Sequence, residues 1–242
     1  MSGVVGTTRL PRDRWLRRLY LPTYAVGEAA RLVGIDRGTV SAWHYGYPSP
    51  RGGRTPEVLS ERGRGTPLSY LQLVEVAFVA TLRRLGVSLR KIRVAREYLA
   101  TRFQAEYPFA QLQLKTDGTE VLKDLGDSEA SLVRTLLVPS RHGQLVWAEP
   151  IQDRIREFDY DEVRRLAVRW FPRGRGVPVV VDPQIAFGAP ILVDSKLPTW
   201  VVGERLKAGE SIEEIEQDFG ISEAAIRHAI EFEGKQGVAS VA

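Results

Sequence analysis

The stretch Tyr24–His44, YAVGEAARLVGIDRGTVSAWH, constrains the fold more than any other part of the chain. Ala29, Ala30, Val33, Ile35, Val40 and Trp43 recur at helical spacing, with a single break at Gly34. The pattern predicts two short helices around a sharp turn. Gly34 can take the left-handed backbone that ends the first helix. Asp36 can cap the second, because its carboxylate accepts a free amide two or three residues on. The first helix is expected to begin near Val26, where Ala25 has no capping side chain and Glu28 can reach back to a free backbone amide instead. The second carries Arg37, Thr39, Ser41 and His44 on its polar side. A short polar helix held at a fixed angle to a buried one is a helix-turn-helix, which suits the DNA major groove. A helical hairpin that only packs is the plainer alternative.

Charge bears on that choice. The net charge is +4 over 242 residues, but it is segregated. Residues 1–104 hold 18 Arg/Lys against 7 Asp/Glu, a net +11, and residues 105–242 hold 16 against 23, a net −7. Such a division suggests one end that meets a polyanion and another that does not. The absence of cysteine excludes disulfides, thiolate metal sites and cysteine nucleophiles. His44, His142 and His228 lie far apart in sequence, and the acidic run Asp159, Asp161, Glu162 lacks a defined metal-ligand set. No nucleophile pattern or phosphate loop is present, so no enzyme, cofactor or metal is expected. No apolar run approaches the roughly 20 residues that span a bilayer. The N-terminus lacks the apolar stretch of a signal peptide. A cytoplasmic protein without a membrane partner is therefore expected.

Taken in order, the chain opens with a basic segment, Arg9, Arg12, Arg14, Arg17 and Arg18, with Trp15 and Leu16 among them. It suits either an arm lying on phosphates or a helix packing Trp15, Leu19 and Tyr20 on its neighbour. After His44, Tyr45–Pro67 is rich in Gly and Pro and carries Arg51, Arg54, Arg62 and Arg64. That composition fits a cationic loop that follows a phosphate backbone, or a disordered linker. An apolar helix is expected over Leu68–Leu85. Ser88 can cap another over Leu89–Phe103, with Arg90, Lys91, Arg93 and Arg96 outside and Ile92, Ala95 and Leu99 packed under the helix-turn-helix. Arg90 and Lys91 sit in a first turn, where the helix dipole disfavours cations unless a polyanion is near. The candidate DNA contacts are Arg37, Thr39, Ser41, Trp43, His44, Tyr45, Arg51, Arg54, Arg62, Arg64, Arg90 and Lys91.

Residues 23–100 resemble the DNA-binding domain of the MerR family. The resemblance rests on Tyr-x-x-x-Glu-Ala-Ala-Arg-Leu-x-Gly, on Thr39-Val40 and Trp43, on the basic wing, and on Leu-Gly-Val-Ser-Leu-Arg-Lys-Ile at residues 85–92. It implies a winged helix-turn-helix that binds duplex DNA as a dimer. The wing is longer and richer in Gly and Pro than is usual there. Pro108 and nearby Gln residues interrupt the long coiled coil that would otherwise follow Phe103.

The middle of the chain reads as a small mixed region. Asp117-Gly118 between Ala110–Lys115 and Thr119–Leu122 signals a hairpin. A helix is expected from Ser128 through Leu137, a strand at Gln144–Trp147 and a helix at Ile151–Glu157. Further strands are expected at Arg165–Phe171 and Val177–Val181. At the C-terminus the first motif recurs with a shift of 186 positions. Val26 falls on Ile212, Val33 on Phe219, Gly34 on Gly220, Asp36 on Ser222 and Val40 on Ile226, and Ser211 opens a capping box. Its surface is acidic, with Glu213, Glu214, Glu216, Asp218, Glu223 and Glu231 against Arg227 alone. Near phosphate these groups would repel, so this copy is expected to dimerise the chain or meet a basic protein surface, or else only to face water.

The run from Asp182-Pro-Gln-Ile-Ala-Phe-Gly-Ala-Pro-Ile through Leu197-Pro-Thr-Trp, Ala208-Gly-Glu-Ser-Ile-Glu-Glu-Ile, Asp218-Phe-Gly-Ile-Ser and Ala229-Ile-Glu-Phe-Glu is similar to "domain of unknown function 433", associated with VapB-like antitoxins. The resemblance covers about residues 178–233. With the N-terminal motif, the chain resembles two-domain antitoxins of this kind. That implies a PIN-like ribonuclease toxin as partner and repression of the shared operon. The expected architecture is mainly α with a small α+β middle region: a winged helix-turn-helix over 1–104, a mixed linker over 105–177 and an antitoxin-type helical domain over 178–242. Expected partners are double-stranded operator DNA, the cognate toxin and a second copy of the chain. Arg173 and Arg175, in a Gly-rich loop, are candidates for plugging the toxin's carboxylate cluster. The alternative is a stand-alone regulator binding a small molecule, with Trp147, Phe158 and Trp170 lining its pocket.

Overall fold

The computed structural model describes residues 11, 13–48, 52–59, 63, 65–116, 137–139 and 145–238. Asp13 caps a first short helix, α1 (Arg14–Tyr20), accepting from the Trp15 amide at 2.9 Å. The helix-turn-helix follows as α2 (Val26–Val33) and α3 (Arg37–Tyr45). Gly34 between them has φ 73, in the left-handed region. Asp36 Oδ1 accepts the Gly38 and Thr39 amides at 2.6 and 3.2 Å. Ala25 makes no side-chain cap, and Glu28 accepts from its backbone amide instead. Strands β1 (Tyr47–Pro48) and β2 (Arg54–Thr55) pair antiparallel as a small wing. Gly46 lets the two sides meet, since a Cβ there would fall 2.1 Å from the Thr55 carbonyl oxygen. Ser69 and Gln72 form a capping box ahead of α4 (Tyr70–Arg84), and Ser88 caps α5 (Leu89–Phe103).

The middle region departs from expectation at its start. Residues 110–115 do not form a strand. Pro108–Ala110 is a 3-10 turn and Leu112–Thr116 a short helix, α6. The alternating Leu residues of QLQLK fit a strand, but Pro108 starts the 3-10 turn. The chain then touches the sheet only through a Gln111–Leu166 bridge and the Leu112 amide on the Arg165 carbonyl at 2.8 Å. The Asp117-Gly118 turn, Thr119–Leu122 and residues 128–136 of the expected helix lie outside the described residues. Leu137, the expected end of that helix, opens strand β3 (Leu137–Pro139), which pairs antiparallel with β4 (Leu145–Trp147). Helix α7 (Glu149–Arg156) leads into a four-stranded antiparallel sheet, β5 (Phe158–Asp161), β6 (Leu166–Trp170), β7 (Val179–Val181) and β8 (Pro190–Leu192). This sheet straddles the expected boundary at 177/178. The middle region is therefore a layer shared with the C-terminal part rather than a linker.

Helix α4 is buried along every residue from Tyr70 to Leu82. A helix without a wet face needs partners all round, and they come from each part of the chain. Phe78 stacks on Phe109 at 5.8 Å and on Phe158 at 5.6 Å, and Phe158 stacks on Trp170 at 5.9 Å. Trp147, Phe158 and Trp170 are thus core residues, not the lining of a ligand pocket. Two buried ionic groups stitch the same helix. Glu75 meets Arg96 Nε at 2.5 Å and accepts the Phe109 amide at 2.8 Å. Arg154 Nε donates to Thr81 Oγ1 at 2.8 Å, and its guanidinium pairs with Glu157, which also accepts from Trp170 Nε1 at 3.0 Å. Burial pushes the Glu75 and Glu157 carboxyls up and the Arg154 guanidinium down from their ordinary values, because the charged forms lose water.

Past β8 come α8 (Thr199–Lys207), α9 (Ile212–Phe219) and α10 (Glu223–Val238). The Ser211–Glu214 capping box forms, and Gly220 repeats the left-handed turn of Gly34 at φ 62. Ile215 and Ile226 are fully buried, like Ala29 and Val40 in the first copy. Helix α10 packs on α8 and also touches α2 and β7, so the two copies share one core. No described helix is long and apolar enough to cross a membrane. Glu75→Ala should lower folding stability by about 3–5 kcal/mol, since it strands the Arg96 guanidinium indoors. Glu75→Gln should cost less, because its amide oxygen still accepts from Phe109. Denaturant titration of both variants measures this.

Candidate nucleic-acid interface

The turn at Gly34 sets α3 across the end of α4. Arg84 Nη2 donates to the Val33 carbonyl at 2.8 Å, which ties the last turn of α4 to the end of α2. An open cleft of about 570 Å³ lies between α3 and the α4–α5 step, lined by Asp36, Thr39, Trp43, Tyr47, Arg83 and Arg84 among others. On α3, Arg37 is exposed, and Thr39 and Ser41 are half-buried with an outward edge. The first turn of a recognition helix is the part that approaches base edges. Arg90 is exposed and Lys91 half-buried in the first turn of α5. Neither has a carboxylate partner among the described residues.

Other expected contacts are placed differently. Trp43 is 4% and His44 1% exposed, so both side chains belong to the core and present no surface to DNA. Trp43 lies three residues after Val40, on the same apolar stripe. Its carbonyl accepts the Val58 and Leu59 amides at 2.8 and 3.1 Å, which anchors the chain after the wing. Tyr45 is half-buried and its hydroxyl donates to the Gly63 carbonyl at 2.9 Å. Arg54 is exposed, yet its Nε donates to the Tyr45 carbonyl at 2.9 Å and its Nη2 bonds the same oxygen. It therefore pins the wing, with the rest of the guanidinium left for solvent or phosphate. Arg51, Arg62 and Arg64 lie outside the described residues. The sequence reading missed Arg93, whose Nε and Nη2 donate to the Glu57 and Pro56 carbonyls at 2.6 and 2.7 Å. It also missed Arg83 and Arg84 at the cleft. Nothing local marks these roles, because each partner is a backbone carbonyl supplied by the turn of the chain. Ile92, Ala95 and Leu99 are buried as expected, but α5 packs chiefly on α4 and the 3-10 turn rather than directly under the helix-turn-helix.

The candidate plug residues Arg173 and Arg175 make contacts within the chain. Arg175 Nε donates to the Arg156 carbonyl at 2.7 Å. Its Nη2 bonds the Phe158 carbonyl and Asp159 Oδ1 at 3.1 and 2.7 Å, and the guanidinium stacks over Phe171. Arg173 lies over the Phe232 ring at 5.6 Å with its Nε buried. Both side chains hold the β6–β7 connection to its neighbours, although Arg175 stays half-exposed.

Residues 22–96 match the family described as "Putative DNA-binding HTH domain", and residues 179–232 match the protein family of unknown function DUF433. The chain joins a helix-turn-helix domain to a DUF433 domain. It is 26% identical over 229 residues to "Putative antitoxin VapB45" of Mycobacterium tuberculosis, covering 88% of this chain and 95% of that one. It is 28% identical over 225 residues to "Uncharacterized protein Rv2308" of the same organism, covering 89% and 92%. The X-ray crystal structure of Rv2018 from Mycobacterium tuberculosis has a TM-score of 0.70 to this fold at 25% identity, covering 88% of this chain and 99% of that one. Over 88% of its length this chain is thus similar to a protein named as a putative antitoxin. Trp43→Ala should cost about 3–5 kcal/mol of stability, as core Trp truncations do, and should not change sequence preference in the surviving folded protein. Thermal melts beside duplex competition assays measure both.

Proposed function

We propose that the chain is a DNA-binding antitoxin. In this reading a MerR-like winged helix-turn-helix holds operator DNA as a homodimer and so represses a shared operon, and the remainder neutralises a PIN-like ribonuclease. The observation that carries it is the pairing of an outward polar helix, with Arg37, Thr39 and Ser41 in its first turns, with likeness over 88% of the chain to a protein named "Putative antitoxin VapB45". Arg37, Thr39 and Ser41 enter the major groove from the first turns of α3. Arg90 and Lys91 meet a flanking phosphate where the N-terminal dipole of α5 adds to their charge. The exposed carboxylates of α9 and α10 (Glu213, Glu214, Asp218, Glu223 and Glu231) would repel the duplex, which leaves that end for protein.

Co-expression with the product of the adjacent small reading frame tests the reading. A stable complex, a silenced ribonuclease and retardation of the operon's own promoter are expected. A chain that binds the promoter but ignores that product refutes the antitoxin role. For the DNA half, Arg37→Ala or Thr39→Ala should lower the preference for operator over random duplex, by about 1–3 kcal/mol where a base contact is lost. Arg90→Ala with Lys91→Ala should weaken all duplexes alike and reduce the salt slope by about 1 for each phosphate contact. Gel retardation over a salt series separates the two classes, and equal loss on both duplexes for all four positions would contradict the assignment.

A further inference from the structure

The basic half of the chain carries a second cationic surface that the DNA reading does not use. Arg14, Arg17 and Arg18 of α1 line a cleft of about 470 Å³ with Trp15, Leu21 and Gln184. None of the three arginines makes an ion pair among the described residues. Their neighbour Arg164 differs: it meets Asp13 at 2.8 Å and Asp161 at 3.0 Å and stacks over the Trp15 ring at 4.4 Å. This holds Trp15 and Asp13 in place and leaves the α1 charges uncompensated. Beside them Phe187 is 78% exposed, with the Arg18 guanidinium 5.7 Å from its ring.

The display of Phe187 is built in. Ala186 and Phe187 are consecutive non-glycine residues with φ 46 and 54, a backbone that costs energy for L side chains. The turn is fixed from several sides. Asp182 Oδ1 accepts the Gln184 amide at 2.9 Å, and the Gly188 and Ala189 amides bond back at 2.8 and 3.0 Å. Gly188 lies against the Tyr24 hydroxyl so closely that a Cβ would sit 2.1 Å from it. A rigid turn that carries an aromatic ring into water beside unpaired arginines has the composition of an interface anchor. Its rigidity lowers the ordering cost of binding.

We propose that α1 and the Ala186–Gly188 turn form the docking surface for an acidic segment of the protein partner, whose carboxylates enter the α1 cleft while an apolar side chain covers Phe187. The proposal rests on the antitoxin reading and replaces the Arg173–Arg175 turn as the toxin contact. Charge complementarity selects an anionic occupant, and a planar guanidinium fork suits carboxylates. Position selects protein over nucleic acid. The α1 cleft shares no lining residue with the α3 cleft. Its surroundings are Gln184, Phe187, Tyr107 (6.0 Å from Tyr20, ring to ring) and Arg164 near the β5–β6 turn, not the wing or the recognition helix.

The test uses the full chain and the adjacent reading-frame product, with affinity from calorimetric titration and duplex binding from gel retardation. Arg14→Glu with Arg17→Glu should weaken the protein complex at least a hundredfold and leave duplex binding unchanged. Phe187→Gly should weaken the complex about tenfold while the melting temperature holds or rises, because glycine relieves the left-handed backbone. A purely structural Phe187 would not show that opposite movement. Lys substitutions at the partner's contacting carboxylates should restore binding to the double charge reversal. Wild-type affinity for the partner in both variants would overturn this surface and leave the antitoxin reading standing. A parallel fall in duplex affinity would make the patch a nucleic-acid contact and overturn the proposal. A wild-type chain that does not bind the partner removes both.

Discussion

Helix α4 must be covered on every side, and that requirement organises the molecule. A 15-residue helix about 22 Å long, buried from Tyr70 to Leu82, cannot be satisfied by the helix-turn-helix alone. The α2–α3 pair and α5 cover part of it. The 3-10 turn at 108–110, α7 and strand β6 cover the rest. The stack from Phe109 through Phe78 and Phe158 to Trp170 is this arrangement in side chains. The two buried ionic groups follow from it as well. Glu75 and Thr81 are polar residues on a dry helix, and each receives an arginine from a different element, Arg96 from α5 and Arg154 from α7.

Electrostatics then divides the surface. The excess of arginine ahead of residue 105 does not gather on a single face. Some of it is structural, since Arg54 and Arg93 hold backbone carbonyls around the wing, Arg84 ties α4 to the end of α2, and Arg83 closes the α4–α5 step on the Val87 carbonyl. The remainder splits between the face around α3 and α5 and the face around α1. Arg37, Arg90 and Lys91 have a place in one proposed contact and Arg14, Arg17 and Arg18 in the other, while the exposed Arg31 and Arg102 belong to neither. In the second copy of the motif the same fold is kept while its cation, Arg227, is paired by Glu223, and Arg205 of the preceding α8 by Glu210 and Asp218.

Both helix-turn-helix units were legible in the sequence because their determinants are local. A left-handed glycine, an Asp or Ser cap and apolar residues at helical spacing lie within about ten residues of one another. The Ser211 capping box, β4, β6 and β7 were equally local, whereas the Ser69–Gln72 box ahead of α4 was not read. What failed was non-local. QLQLK fits two periodicities, and only its contact with the sheet near Leu166 decides between them. The Arg173–Arg175 loop looks free in sequence, yet its guanidiniums find acceptors on α7 and β5 and a ring on α10. At the candidate site Arg37, Thr39, Ser41, Arg90 and Lys91 were readable from helical phase. Trp43 was readable too, since its distance from Val40 aims it inward, but its aromatic chemistry suggested an outward role. The shared sheet was not readable at all, because pairing between β6 and β7 leaves no mark on either segment.

That shared sheet has a consequence for the unit of inheritance. Cutting the chain after residue 104 would leave Phe78 and its neighbours on α4 without Phe109, Phe158 and Trp170, a bare oily wall that invites self-association. The reading head cannot be passed on as a separate module. Gene fusions or truncations that respect the helix-turn-helix boundary would still break the interior, and only rearrangements that carry α4 together with its sheet would yield a usable protein.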